Sequence, residues 1–180
     1  GTVTVTASVT DAAGNTGTGS HNVTVDTGLP SVSFNAISDD NVLNAVEKGQ
    51  DLRVSGTSAN LAEGTVVAVT LNGKNYTATT AADGTWSLTV PAADLAGLGE
   101  ANYTVTANVT DSVGNSASTS HDVLVDSSLP VVTIDTLAGD NIVNAAEVSA
   151  GQTLTGKVTN AAPGDTVTIT LGGKTFTATV

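Results

Sequence analysis

Branched apolar residues alternate with Thr or Ser along most of this chain. In TVVAVTL (65–71), TWSLTV (85–90), NYTVTANVT (102–110) and SHDVLV (120–125), one face gathers Val, Leu, Ala or an aromatic and the other gathers polar groups. That two-residue period is the mark of a half-buried β-strand. Gly, Asn, Asp and Pro punctuate the runs. The pattern predicts strands near 31–37 (A), 50–57 (B), 65–72 (C), 75–80 (D), 85–90 (E), 102–110 (F) and 116–126 (G). Asn72-Gly73 between C and D, and Gly172-Gly173 later, are hairpin signals, because these residues tolerate the positive φ of a tight turn whose twist matches its strands. Only PAADLAGLGE (91–100) hints at helix, and then at a single turn. Trp86, Leu71, Val69, Val105 and Val109 are the expected core.

The chain repeats itself. TVTASVTDAAGNTGTGSHNVTVDTGLP (4–30) matches TVTANVTDSVGNSASTSHDVLVDSSLP (104–130) at an offset of 100 residues without a gap. Asp40, Asn41, Asn44, Ala45 and Glu47 fall on Asp140, Asn141, Asn144, Ala145 and Glu147, and VTLNGKNYTAT (69–79) falls on ITLGGKTFTAT (169–179). Such a period is too long for a solenoid and suits one autonomous sandwich, so a tandem array is expected. Counted from the Leu-Pro pairs, 1–28 are the end of one repeat, 29–128 a complete one and 129–180 the start of a third. The predicted class is all-β: an immunoglobulin-like seven-strand β-sandwich in tandem repeats of about 100 residues. The chain reads as an excerpt of something longer.

Charge narrows the partners. Seventeen acidic against five basic residues give a net charge of −12 in 180 residues. Nucleic acid and anionic membranes need clustered Lys and Arg, so neither is an expected partner, and cations are. With no Cys or Met, disulfides, thiolate metal sites and thiol nucleophiles are excluded, and the composition suits a bacterial protein exported unfolded. The apolar runs are too short for a transmembrane helix, and no signal peptide is expected.

The acid is concentrated in DDNVLNAVE (39–47), which returns as GDNIVNAAE (139–147). Together with TVVAVTLNGKNYTATTAADGTWSLTVPAADL, YTVTANVTDSVGNSAS and VDSSLP, this run resembles the bacterial immunoglobulin-like repeats of giant, type I-secreted surface adhesins and biofilm-associated proteins. The resemblance covers the whole chain, through Asp-Asn-x-x-Asn-Ala-x-Glu, Asp-x-x-Gly-Asn and Val-Asp-x-x-x-Pro. It implies secretion to the bacterial cell surface and an extender role between the cell and a distal adhesive tip. It also implies calcium near the domain junctions as a stiffener. Gly139 in place of Asp39 departs from the pattern and leaves the third repeat one ligand fewer.

Chain direction gives the placement independently. Antiparallel strands alternate, so the A–B loop (38–49) and Asp126 belong at one pole, and the F–G loop 111–115 at the other, beside Asp26. Ca²⁺ takes about six to eight oxygen ligands and turns the mutual repulsion of carboxylates into a clamp. The candidate ligands are Asp39, Asp40, Asn44, Glu47 and Asp126 at one pole, Asp26, Asp111 and Asn115 at the other, and Asp140 and Glu147 in the third repeat. Zinc would want His or Cys. The competing reading is a solvated turn, since Asp and Asn favour Asx-turns and positive φ; for Asp111 and Asn115 both readings stand.

Other features point away from chemistry. His21 and His121 are equivalents in separate repeats, each at the start of a strand G, so they share no site. The four Asn-x-Thr sequons are expected in a chain this rich in Asn and Thr, and exposed Thr arrays such as TVTVT are ordinary strand filling rather than an ice-binding face. No enzyme is expected. Two classes remain: a structural extender whose partners are the neighbouring repeats of its own chain, and a carbohydrate- or protein-binding module. Aromatics at 3% offer few hot spots, which favours the extender. The host ligand is not written in these repeats. The truncated ends, 1–28 and 129–180, are complementary parts expected to associate head to tail.

Overall fold

The computed structural model describes residues 1–180 and divides into two compact units, Gly1–Asp126 and Ser127–Val180. The first begins with a hairpin of β1 (Thr2–Thr10) and β2 (Thr16–Thr24), in which Thr2 faces Thr24 and Thr10 faces Thr16. Next comes a complete sandwich of β3 (Ser31–Phe34), β4 (Val42–Leu43), β5 (Leu52–Ala59), β6 (Val66–Leu71), β7 (Lys74–Thr79), β8 (Thr85–Val90), β9 (Ala101–Thr110) and β10 (Ser116–Val125). One sheet is ordered β3-β5-β8 and the other β4-β10-β9-β6-β7. No helix is long and apolar enough to cross a membrane.

Strand A departs from expectation. The run predicted at 31–37 stops at Phe34, and the chain re-enters the other sheet as β4, inside the acid-rich loop. There β4 runs parallel to β10, with Val42 opposite Leu124 and Leu43 opposite Val125. Turn chemistry works as expected between β6 and β7, where Asn72 and Gly73 take φ of 47° and 75°. The single expected helical turn is α1 (Ala92–Leu95); a 3₁₀ turn over Glu47–Gly49 was not foreseen. Pro91 precedes α1 with φ −63°, and the Asp51 carboxylate accepts from the Ala92 amide at 2.9 Å. The turn inserts Leu95, fully buried, into one end of the core.

The inward faces meet as a single core in which Val54, Val67, Val69, Leu71, Trp86, Val105, Val109, Val123 and Val125 are all buried. Each such side chain contributes about 1.5–3 kcal/mol relative to exposure. Phe34 packs edge-on against Trp86, with ring centroids 5.4 Å apart, and the indole Nε1 donates to the Thr57 carbonyl at 3.3 Å. At the β7 edge, Asp94 accepts from Lys74 Nζ at 2.6 Å and from the Tyr76 hydroxyl at 2.7 Å. Burial and the Asp94 carboxylate push the Tyr76 phenol up to about 12.

The second unit rebuilds part of the same plan. It contains β11 (Val131–Ile134), α2 (Ala145–Ala150), β12 (Gly156–Thr159), β13 (Thr166–Leu171) and β14 (Lys174–Thr179). β11 pairs with β12 and β13 with β14, each antiparallel, in the registers their counterparts use 100 residues earlier.

Candidate functional site at the two loop poles

The acidic loop is held by its own side chains. Asn41 adopts φ +67°, and its Oδ1 accepts from the Ile37 amide at 2.8 Å and from His121 Nε2 at 2.6 Å. A histidine from the middle of β10, rather than the start of a strand, thus ties that strand to the loop. Asp40 Oδ1 accepts from the Val42 amide at 2.9 Å, an Asx-turn that launches β4. Asn44 Oδ1 accepts from Val46 and Glu47 amides at 2.9 and 3.1 Å, while Glu47 Oε2 accepts from the Asn44 amide at 3.0 Å. The same exchange between Asn144 and Glu147 is a complete capping box on α2. Asp140 repeats the Asx-turn toward Ile142 at 2.9 Å. Gly139, at φ +88°, fills the left-handed position that Asp39 holds at +60°; glycine suits that backbone without strain and removes one carboxylate.

The strand pairing brings Asp126 to this pole, its amide donating to the Leu43 carbonyl at 3.1 Å. Asp39 and Glu47 line a polar cleft of about 470 Å³ that also holds Asn35, Gln50, Asp51 and Arg53. Sequence reasoning did not single out Asp51 or Arg53, which in the alternation of strand B read as ordinary outward-facing positions beside buried Leu52 and Val54.

The opposite pole is built on Asp111. Its Oδ1 accepts from the Val113 and Asn115 amides at 3.0 and 2.8 Å, and its Oδ2 from Asn115 Nδ2 at 2.8 Å. Asn115 Nδ2 also reaches the Asp26 carbonyl at 3.5 Å, and Asp26 Oδ1 accepts from the Gly28 amide at 3.0 Å. Asp26 therefore lies beside the F–G loop at the start of β10, while Asp126 lies beside the acidic loop at its end. Ten residues at about 3.3 Å each separate the two poles by about 33 Å.

No group of three His, Cys, Asp or Glu side chains converges to hold a metal ion. The fold thus gathers Asp39, Asp40, Asn44, Glu47 and Asp126 at one pole, and Asp26, Asp111 and Asn115 at the other, without forming a closed cage. Asp140 and Glu147 occupy the matching loop of the second unit.

The Asp111 loop carries a pH signature. Partial desolvation raises its carboxyl pKa, but hydrogen bonds from Asn115, Val113 and Gly114 outweigh that and hold it below the ordinary 3.8. A depressed folded-state value contributes stability that is complete above the unfolded pKa and is lost as pH falls through the folded one. Thermal melts of Asp111→Asn between neutral and strongly acidic pH should therefore show a shallower acid-side loss than the parent; identical slopes would remove Asp111 from that role.

The profile of the bacterial Ig-like domain family matches residues 35–127. No curated protein matches the chain. Among solved structures, a 1.5-MDa bacterial ice-binding adhesin, studied for host cell surface retention, is 32% identical with a TM-score of 0.52, over 99% of this chain and 60% of that one. The chain thus spans less than two thirds of that structure. A Ca²⁺-stabilized adhesin that helps an Antarctic bacterium reach out and bind ice is 35% identical, with a TM-score of 0.49 over 99% and 46%. A bacterial immunoglobulin-like domain from the M. primoryensis ice-binding adhesin is 36% identical, with a TM-score of 0.41 over 55% and 97%. On the family match across 35–127 and the complete sandwich built by the same residues, this chain belongs to the bacterial Ig-like domain family.

Proposed function

We propose that this chain is a run of load-bearing spacer repeats from a secreted bacterial surface adhesin, serving adhesion or biofilm formation by holding a distal binding part away from the cell. Its repeats are 1–28, 29–128 and 129–180, and their first partners are their own neighbours. One observation carries the reading. In the complete sandwich the chain enters beside the start of β10 and leaves at its end, where β10 lies parallel to β4. Tension along the chain draws these two strands past each other in shear. The Leu124 amide to Asn41 carbonyl bond (2.9 Å) and the Asp126 amide to Leu43 carbonyl bond (3.1 Å) then resist together rather than one by one. Similarity to a 1.5-MDa bacterial ice-binding adhesin, studied for host cell surface retention, agrees with such a role.

Calcium is the proposed cofactor, at the same two poles. The donors are hard oxygens of the right kind, but they fall short in number of the six to eight that Ca²⁺ takes, so water or groups outside the sandwich complete the shell. Asp39 and Asp126 are the carboxylates assigned to the exit pole, and Asp26 with Asp111 to the entry pole. Calorimetry should detect binding with Kd of about 10⁻⁴–10⁻³ M, the range of extracellular modules. Asp39→Asn with Asp126→Asn should remove one class of site. No heat up to millimolar calcium would reduce the acidic loop to the capped, solvated turn that its internal hydrogen bonds already explain.

A further inference from the structure

We infer that Asn72-Gly73, the two-residue turn joining β6 to β7 in the complete sandwich, is a site of spontaneous deamidation that converts Asn72 to aspartate and isoaspartate. This goes beyond the spacer reading and depends on neither load nor calcium. Asn72 is the one asparagine of the chain that glycine follows. Ring closure on an asparagine needs a free side-chain amide and an unhindered backbone nitrogen one residue on. This turn supplies both. Asn72 is exposed, and the turn closes on the Leu71–Lys74 pair, which leaves the Gly73 amide outside the ladder. A Cβ placed on Gly73 would meet nothing within 4 Å, so the turn stands open to water.

Elsewhere in the sandwich the fold withholds the reaction. Asparagines followed by small residues have their side chains tied: Asn35 Nδ2 donates to Ser55 Oγ at 3.2 Å and Asn115 Nδ2 to Asp111 Oδ2 at 2.8 Å, while Asn44 Oδ1 accepts from the Val46 amide at 2.9 Å. Asn102 and Asn108 lie in β9, where Tyr103 and Val109 follow them and crowd the attacking nitrogen. Only the β6–β7 turn combines a loose side chain with a bare neighbour.

Backbone geometry brings the reacting groups within one peptide flip of each other. Asn72 and Gly73 have φ of 47° and 75°, the two positive values of a type I′ turn. Closing the imide ring turns ψ of Asn72 to about −120°, the value at the first central position of a type II′ turn, where φ is about +60°. Asn72 already holds that sign of φ, so the central peptide flips and φ of Gly73 changes sign, which glycine allows. The Gly73 nitrogen then attacks Asn72 Cγ. The N–Cγ bond forms, the Cγ–Nδ2 bond breaks, and ammonia leaves with the proton lost from the backbone amide. One water opens the imide, at Cγ to give isoaspartate's isomer aspartate, or at the Asn72 carbonyl carbon to give isoaspartate itself. Isoaspartate adds a carbon to the main chain of a turn that fits its strands at two residues. β7 is an edge strand whose ladder is with β6 alone, so the tip opens there while Lys74 and Tyr76 stay anchored on Asp94. β4 lies at the opposite edge of the same sheet, so its pairing with β10 is untouched. The later repeat carries Gly172 at this position and lacks the site.

The test holds the full chain at mildly alkaline pH in water enriched in heavy oxygen, then maps its peptides by mass spectrometry. One solvent oxygen should enter at residue 72, in both products, before any other asparagine changes. Asn72→Gly, which copies the Gly-Gly turn of the later repeat, should fold like the parent and release no ammonia from this turn. Hydrogen exchange at the Leu71 and Lys74 amides should be faster in the aged parent than in Asn72→Asp, which carries the new charge without the extra carbon. An Asn72 that stays intact while the urea-unfolded chain converts would overturn the proposal. So would conversion of Asn44 or Asn115 at an equal rate, aspartate formed without isoaspartate, or exchange in the aged parent no faster than in Asn72→Asp.

Discussion

Replacing Trp86 with alanine is expected to destabilise the complete sandwich by about 3–5 kcal/mol. The indole is 3% exposed, on the inward face of β8, the outer strand of the smaller sheet. Truncation removes its transfer free energy and leaves a cavity that the surrounding strands, held in register by the β5–β8 and β3–β5 ladders, close only partly. It also removes the edge-on contact with Phe34 and leaves the Thr57 carbonyl without its indole donor. Urea unfolding followed by far-ultraviolet circular dichroism measures the change directly. A loss below about 1 kcal/mol, the level of an ordinary surface substitution or little more, would mean that the ring is not the core anchor.

Gly56→Ala should cost about 3 kcal/mol or more, above the usual range for one extra core methyl. Gly56 sits in β5 between Phe34 on one neighbouring strand and Trp86 on the other. A Cβ there would lie 1.8 Å from the Ser33 carbonyl oxygen and 2.6 Å from Trp86 Cζ2. The first clash is with backbone, so no rotamer relieves it, and β3 must lift from β5. Gly97→Ala is the matched control, because its added Cβ meets nothing within 4 Å and its φ is not positive. That variant should lie within about 0.5 kcal/mol of the parent. Equal effects at the two glycines would show that backbone entropy, not the close approach, governs position 56.

These two sites differ in how far the sequence reveals them. Trp86 stands in an unbroken alternation with Leu88 and Val90, so its burial follows from the two-residue period, and β8 lies where that period ends at both sides. Gly56 gives no local signal. Its demand arises from Ser33 and Trp86, distant in sequence, which only the paired sheet brings onto it. The acidic loop shows a different limit. Its charge points toward a cation, and the Asn44-x-x-Glu47 spacing carries in the same letters the capping exchange that the structure forms. β4 escaped because two apolar residues among Asp and Asn make no period; its pairing with β10 is a tertiary choice. The placement of the poles was legible, because chain direction in an antiparallel sandwich leaves little freedom once the strands are counted.

The most direct test of the spacer function is to pull the 180-residue chain by its ends in a single-molecule force experiment. If the sandwich bears load through the sheared β4–β10 pairing, it should hold until one abrupt step releases residues 31–125 together. At about 3.6 Å per extended residue, less the folded span of about 33 Å, that step is about 300 Å long. Gradual lengthening at low force, or a sequence of smaller steps from strands peeling one at a time, would contradict a repeat built to carry tension.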